Sequence, residues 1–281
     1  MKNNILIIGS LGMLGQELLK IFSDAVAWDR EEIDITDKNQ VEDKIEKLNP
    51  EIIINCAAYN AVDKCETSDG FKLAKKINGE AVGYLADACL KNNAILIHFS
   101  TNYVFNGENQ NGYNEYSEPN PISKYGQTKL IGEQELLKRP ELKYYLIRTS
   151  KLFGEKGSSE VAKDSFFDIM IKLAKTEAEI RVIDDELSNF TYTPDLAEAT
   201  KDLLKQNYPV GIYHLVNENP CTWFEGTQTL FDILKKDVKL IQVNSDEFPR
   251  PAKRPKQAIL NNNKFPKLRR YEDALAEYLY K

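Results

Sequence analysis

Within its first 22 residues the chain passes from a short apolar run, through a turn with three spaced glycines, into an amphipathic stretch. Asn4-Ile5-Leu6-Ile7-Ile8 is rich in β-branched residues and reads as a strand buried on both faces. Gly9-Ser10-Leu11-Gly12-Met13-Leu14-Gly15 follows at once, and Gln16-Glu17-Leu18-Leu19-Lys20-Ile21-Phe22 reads as a helix. Strand, glycine turn and helix in that order form the context that a dinucleotide fingerprint requires. Gly9 permits the tight turn, Gly12 lets backbone approach a pyrophosphate, and Gly15 lets the helix pack closely on the strand. The helix N-terminus offers free N–H groups and a positive dipole end to phosphate. A glycine-rich turn with no ligand is the bland alternative.

The next strand is expected at Ala25-Val26-Ala27-Trp28, ending at Asp29-Arg30. Asp29 stands where an acid bonds the adenosine ribose hydroxyls, which suits NAD, whereas Arg30 suits the 2′-phosphate of NADP. Both readings stay open. Asp34, beside Ile35, either contacts adenine or lies in the turn that caps the next helix.

A second motif lies downstream. Tyr125 and Lys129 are four apart, so on a helix they share a face. A phenol titrates near ~10 and is a poor acid at neutral pH without help. A nearby cation favours the phenolate and lowers that value. Thr101, at the end of the run Ala94–Phe99, adds a hydroxyl. The three together are suited to protonating a carbonyl oxygen as a hydride reaches its carbon. The spacing alone is weak, because Tyr and Lys are common and a partly exposed helix face explains it equally.

Strand-like and helix-like runs alternate along the chain: Ile52–Asn55, a helix over 70–92, Ala94–Phe99, the Tyr125 helix, Tyr144–Arg148, and later strands at Ile180–Ile183 and Gly211–Val216. Such alternation predicts an α/β fold, a Rossmann-like doubly wound parallel sheet with helices on both faces. Residues 1–150 are expected to bind the dinucleotide, with strands near 180–217 returning to that sheet. Residues 151–180 and 218–281 are expected to build a smaller C-terminal substrate lobe. The 281 residues carry a net charge of −6 without a long basic run, which argues against nucleic acid. No apolar segment approaches membrane-span length, and the chain enters a strand with no room for a signal peptide. Cys56, Cys65, Cys89 and Cys221 lack metal spacing and read as reduced thiols of a cytoplasmic protein. No metal is expected. His98 and His214, in apolar strand-like runs, read as packed structural residues.

Several longer motifs occur in order: Glu32-Ile33-Asp34-Ile35-Thr36-Asp37, Asn55-Cys56-Ala57-Ala58-Tyr59 running on to Glu66, Ser100-Thr101-Asn102-Tyr103-Val104-Phe105, Tyr125-Gly126-Gln127-Thr128-Lys129, Arg148-Thr149-Ser150, Gly211-Ile212-Tyr213-His214-Leu215, Thr222-Trp223 and Arg254-Pro255. With the glycine turn, they make the chain resemble extended short-chain dehydrogenases/reductases, and more closely the dTDP-4-dehydrorhamnose reductase family, over nearly its whole length. The resemblance implies NADPH or NADH as cofactor and a nucleotide-linked 4-keto-6-deoxy sugar as substrate, in dTDP-rhamnose and cell-surface polysaccharide biosynthesis. It implies Thr101, Tyr125 and Lys129 as the catalytic set. It implies cofactor contacts at Gly9, Leu11, Gly12, Met13, Leu14, Gly15, Asp29, Arg30, Asp34, Ile35, Cys56, Ala57, Ala58, Tyr59, Asn78, Ser100, Tyr125 and Lys129. Substrate contacts are implied at Val62, Thr101, Asn102, Tyr103, Lys151, Trp223 and Arg254, although Trp223 also reads as a core aromatic and Arg254 as a surface charge. A homodimer is common among such proteins.

The departures from the family pattern cluster on the substrate side. Asn102 stands for a usual Asp, Lys151 for a usual Trp, Asp185–Thr191 for a segment with Gln, Gly and Pro, and Ala258 and Asn261 for Ser and Asp. They leave room for another keto sugar, another base, an epimerase-type reaction, or a non-catalytic subunit that binds dinucleotide and a partner enzyme.

Overall fold

Strands that are apolar on both sides need cover on both sides, and the computed structural model, which describes residues 4–281, supplies it. In chain order the elements are β1 (Ile5–Ile8), α1 (Met13–Ile21), β2 (Val26–Trp28), α2 (Lys38–Leu48), β3 (Ile52–Asn55), α3 (Ser68–Lys75), α4 (Ala81–Lys91), β4 (Ile95–Thr101), α5 (Lys124–Leu137) and β5 (Tyr144–Thr149). They continue as β6 (Leu152–Phe153), α6 (Phe166–Leu173), β7 (Glu179–Ile183), β8 (Thr191–Tyr192), α7 (Thr193–Lys205), β9 (Gly211–His214), α8 (Trp223–Leu234), β10 (Lys239–Val243) and α9 (Tyr271–Tyr280).

The central sheet is parallel throughout, in the order β2-β1-β3-β4-β5-β9. Alternate residues of each strand point to opposite faces. Leu6, Ile8, Ile53 and Leu96 meet Val41 and Ile45 of α2 and Val82, Leu85 and Cys89 of α4. Ile7, Ile52, Ile54 and Ile97 meet Leu14 and Leu18 of α1 and Leu196 and Leu203 of α7. The sheet is thus doubly wound. Because β2 and β3 flank β1 on opposite sides, the winding reverses there, and a crevice opens beyond the C-terminal ends of β1 and β3.

Two features differ from the sequence expectation. Glu179–Ile183 does not return to the central sheet; it pairs in parallel with β10 in a separate two-stranded sheet, whereas β9 joins β5 at the main sheet's edge. The helix expected over 70–92 is α3 and α4 joined through one π-helical turn, Lys76–Glu80, which carries Asn78. Such bulges widen the turn by one residue and recur at functional sites. A third apolar core, separate from the sheet, gathers Phe153, Phe167, Tyr192, Leu230, Phe231 and Tyr271 from β6, α6, β8, α8 and α9, with Phe190 from the residue just before β8. No helix among the described residues is long and apolar enough to cross a membrane.

Candidate active site

A cleft of about 400 Å³ opens over the C-terminal ends of the central strands, a volume ordinary for small-molecule sites. Gly12 at the cap of α1, Met13–Gly15 in its first turn, Cys56 and Ala58 after β3, Ser100 and Thr101 of β4, Thr149 at the end of β5 and Ser150 just after it line the cleft. At Gly9 the backbone has φ +79°, and a Cβ there lies 2.6 Å from Ala57 N. At Gly15 a Cβ lies 2.2 Å from Gly9 O, so only glycine allows the helix this close to the turn. Gly12 is different: its φ is −74° and its nearest obstacle, Gly9 O, is 3.3 Å away. Space beside Gly12 is open toward the cleft.

This contrast gives a prediction. Gly9→Ala destabilises the fold by ~2 kcal/mol or more, from the left-handed backbone and the clash. Gly12→Ala costs less than ~1 kcal/mol but fills the phosphate cradle, so dinucleotide affinity falls about tenfold. Urea denaturation and fluorescence titration with NADPH separate the two.

Asp29 braces the turn: its carboxylate accepts the Leu11 N–H at 3.1 Å and the Arg30 N–H at 2.9 Å. Arg30 is exposed at the same rim. Asp34 accepts the Thr36 N–H at 2.9 Å and hydroxyl at 2.7 Å, closing its own turn. The cap of α2 is Asp37, which accepts the Asn39 and Gln40 N–H groups. Ile35 is buried in the core. Asn78 lies off the cleft lining: it accepts the Tyr59 N–H at 2.8 Å and donates to Tyr59 O and Thr128 Oγ1, each at 3.1 Å. Both amide hydrogens are used, so Asn78 shapes the Ala57–Tyr59 loop instead of touching a ligand in the cleft.

Thr101, Tyr125 and Lys129 converge on the cleft floor, all buried. Ser123 caps α5 through the Gly126 N–H at 3.1 Å, which fixes where the helix begins and therefore where Tyr125 and Lys129 project. The Tyr125 hydroxyl faces Asn60 Oδ1 at 3.4 Å, and its ring meets Tyr103 edge-on at 5.7 Å. Burial pushes the phenol above its usual range, Tyr103 adds to this, and a hydrogen bond with Thr101 opposes it. The expected lowering by Lys129 is absent. The Lys129 amine is drawn instead to Phe99 O at 2.6 Å and His98 Nε2 at 3.4 Å. Burial holds Lys129 down at about 8, partly offset by Glu133 and Cys56.

Val62, Asn102, Tyr103, Lys151 and Trp223 line the same cleft. Asn102 donates to Ala258 O at 3.1 Å, a bond the carboxylate usual at this position in the family lacks the hydrogen to make. Lys151 has φ +39°, uncommon for a lysine. Its ammonium sits 4.0 Å from the Trp223 ring centre and 4.8 Å from that of Phe190, and reaches Cys221 O at 3.3 Å. Trp223 Nε1 donates to Glu186 Oε2 at 3.0 Å, and Glu186 is paired with Arg250. Arg254 does not line the cleft. Its guanidinium grips Asp63 at 2.6 and 2.7 Å and lies beside Tyr103 of the lining. That pair holds the Asp63 carboxyl below its usual range.

Further lining residues lie in stretches that the family resemblance marks without giving them a contact, whereas Glu133 beneath them has no local sequence signal. Glu186, Ser188 and Pro255 enter the lining from the C-terminal segments. The Thr149 and Ser150 hydroxyls are buried and without a protein partner. Beneath them Glu133 receives Arg148 at 2.7 and 3.0 Å and the Ser100 hydroxyl at 2.5 Å, tying α5 to β4 and β5. Cys56, Cys65, Cys89 and Cys221 are free thiols. No group of three or more His, Cys, Asp or Glu among the described residues is placed to hold a metal ion.

Comparison with known proteins places the same chain among reductases. The family model described as RmlD substrate binding domain matches residues 1–281. The spore coat polysaccharide biosynthesis protein SpsK of Bacillus subtilis is 32% identical, over 98% of this chain and 96% of that one. The dTDP-4-dehydrorhamnose reductase of Streptomyces griseus is 34% identical, over 97% and 91%. The crystal structure of dTDP-4-dehydrorhamnose reductase from Bacillus anthracis in complex with NADP superposes with a TM-score of 0.92 at 33% identity, covering 100% of this chain and 99% of that one.

Proposed function

This chain belongs to the dTDP-4-dehydrorhamnose reductase family, defined by the RmlD substrate binding domain, and on that premise we propose that it is an NAD(P)H-dependent reductase of a nucleotide-linked 4-keto-6-deoxy sugar. The substrate is dTDP-4-dehydrorhamnose and the product dTDP-L-rhamnose, a precursor of surface polysaccharide. The observation that carries this reading is the convergence of Thr101, Tyr125 and Lys129 on one cleft with the open face of Gly12.

The residues fit a dinucleotide. The cradle beside Gly12 takes the pyrophosphate at the N-terminus of α1. Asp29 and Arg30, at the rim of the glycine turn, would hold the adenosine ribose, and the unpartnered Thr149 and Ser150 hydroxyls in the cleft would be free to bond the bound dinucleotide. When bound, NADPH or NADH supplies the hydride. Tyr125 gives its proton to the carbonyl oxygen as that oxygen gains charge. Burial keeps the phenol protonated until the substrate arrives but also weakens it as an acid, so the proton moves only as charge develops on the carbonyl oxygen. Thr101 donates to the same oxygen, and Lys129 would hold the ribose of the bound cofactor. Residues 1–150 form the dinucleotide-binding domain, while 151–180 and 218–281 form the substrate lobe that brings Lys151 and Trp223 to the sugar. The enzyme works in the cytoplasm as a homodimer.

Lys151 gives a pH prediction for the sugar. Burial lowers it to about 8, so it is an ammonium below that pH and a neutral amine above it. A hydrogen bond from a charged group is worth ~1.5–3 kcal/mol, roughly tenfold or more in affinity. KM for the nucleotide sugar therefore rises as pH passes through about 8, and Lys151→Met raises KM and flattens that rise.

The function itself is tested by NADPH and NADH oxidation with dTDP-4-dehydrorhamnose as acceptor. Turnover supports the reading and ranks the cofactors. Dinucleotide binding without turnover on this or related keto sugars contradicts it and favours the binding-subunit alternative.

A further inference from the structure

His98 lies beneath the cleft, fully buried on β4, between Asn55 of β3 and Lys129 of α5. Asn55 and His98 are register partners in the parallel sheet. The orientation of the Asn55 amide is set from outside the pair: Oδ1 accepts the Ala57 N–H at 3.1 Å. Its Nδ2 therefore donates to His98 Nδ1, also at 3.1 Å. A neutral imidazole has one N–H and one lone pair. With Nδ1 accepting, the ring proton is on Nε2, and Nε2 faces the Lys129 amine at 3.4 Å. Burial and the neighbouring Lys129 hold the ring far below its ordinary range, so it is uncharged and has a single proton to place.

We infer that His98 is a positioning residue for the reducing site: Asn55 locks its ring with the proton on Nε2, and that N–H faces Lys129, so the amine is held to accept a proton as well as to give one. A fully charged ammonium has three donors and no acceptor. Opposite an N–H it makes one poor contact, whereas a neutral amine offers its lone pair to Nε2–H and still donates to Phe99 O at 2.6 Å. The other titratable groups facing Lys129 are Cys56 beyond β3, and Tyr125 and Glu133 on α5. Cys56 is a partly exposed thiol of the cleft lining that desolvation pushes up and keeps protonated. Glu133 is matched by Arg148. His98 is thus the uncharged group whose proton placement biases the lysine.

The inference rests on Tyr125 and Lys129 being the reducing pair, but the test reads ring and amine directly and needs no turnover. The chain has two histidines, His98 and His214, so long-range proton–nitrogen spectra of histidine-labelled protein contain two rings, assigned with His214→Gln. The expected result in the wild type is a His98 ring protonated on Nε2 across neutral pH. Asn55→Asp, which can only accept, moves the proton to Nδ1 and turns a lone pair toward Lys129. The Lys129 titration, followed through its labelled ε-carbon and assigned with Lys129→Met, then moves up by about one pH unit or more. His98→Gln removes the ring and shifts the same titration if the ring sets it. A wild-type ring protonated on Nδ1 overturns the proposal whether or not either variant folds, and so does a Lys129 titration unmoved in folded Asn55→Asp. Absence of reductase activity with the expected tautomer present counts against the reductase reading alone.

Discussion

Tyr125→Phe is expected to lower kcat by ~10²–10⁴-fold, the usual worth of a positioned general acid, while the fold and dinucleotide binding stay near wild type. The phenol meets the exposed Asn60 Oδ1 at 3.4 Å and the Thr101 hydroxyl, and Thr101 keeps its bonds to Asn102 Oδ1 and the Tyr103 N–H, so removing the phenol hydroxyl strands no buried group. The ring remains to pack edge-on against Tyr103. The loss belongs to the transition state alone, because a ground-state ketone draws little on the proton. Steady-state kinetics with NADPH titration shows this as a collapse of kcat with cofactor affinity intact. A fall in affinity with kcat preserved contradicts the assigned role.

Glu133→Gln is expected to cost about 3–5 kcal/mol of stability, the penalty for breaking a buried ion pair from one side. Glu133 is fully buried and Arg148 has 2% exposure, so the guanidinium left behind has no route to water. Arg148 Nη1 already lacks a partner. The carboxylate also accepts the Ser100 hydroxyl, next to Thr101, and stands one turn beyond Lys129 on α5. The variant therefore loosens α5, which carries Tyr125 and Lys129, as it destabilises the sheet. Replacing both Glu133 and Arg148 by apolar residues of similar size recovers much of the loss, because no uncompensated charge remains. Urea denaturation of the single and double variants measures both effects.

The site was legible in the sequence where a local pattern carries the physics. Runs such as Ile52–Asn55 declare a doubly covered strand because every position is apolar or buried. The glycine turn is legible because Gly9 needs a positive φ and Gly15 needs the absence of a Cβ. Thr101, Tyr125 and Lys129 meet in one cleft because strand end and helix face dictate where they point. Partners across the fold were not legible. His98 reads as one more core residue until strand register sets it beside Asn55 and the helix sets Lys129 above it. The ammonium's preference for Phe99 O depends on a carbonyl thirty residues away in sequence, so spacing suggested a Tyr–Lys contact that the fold does not make. Glu179–Ile183 was recognisable as a strand, yet its alternation of exposed and buried residues marks a sheet with one wet face. That pattern fits the small β7–β10 sheet and not the doubly covered one. The Lys151 environment is assembled from Phe190, Glu186 and Trp223, and no local pattern announces it.

The central claim is that hydride moves from the nicotinamide to C4 of the nucleotide sugar in this cleft. Reduction of dTDP-4-dehydrorhamnose with NADPH deuterated at both C4 positions, followed by mass and NMR analysis of the product, tests it directly. The account predicts one deuterium, at C4 of the new dTDP-L-rhamnose. Product without deuterium, or with deuterium at another carbon, contradicts it.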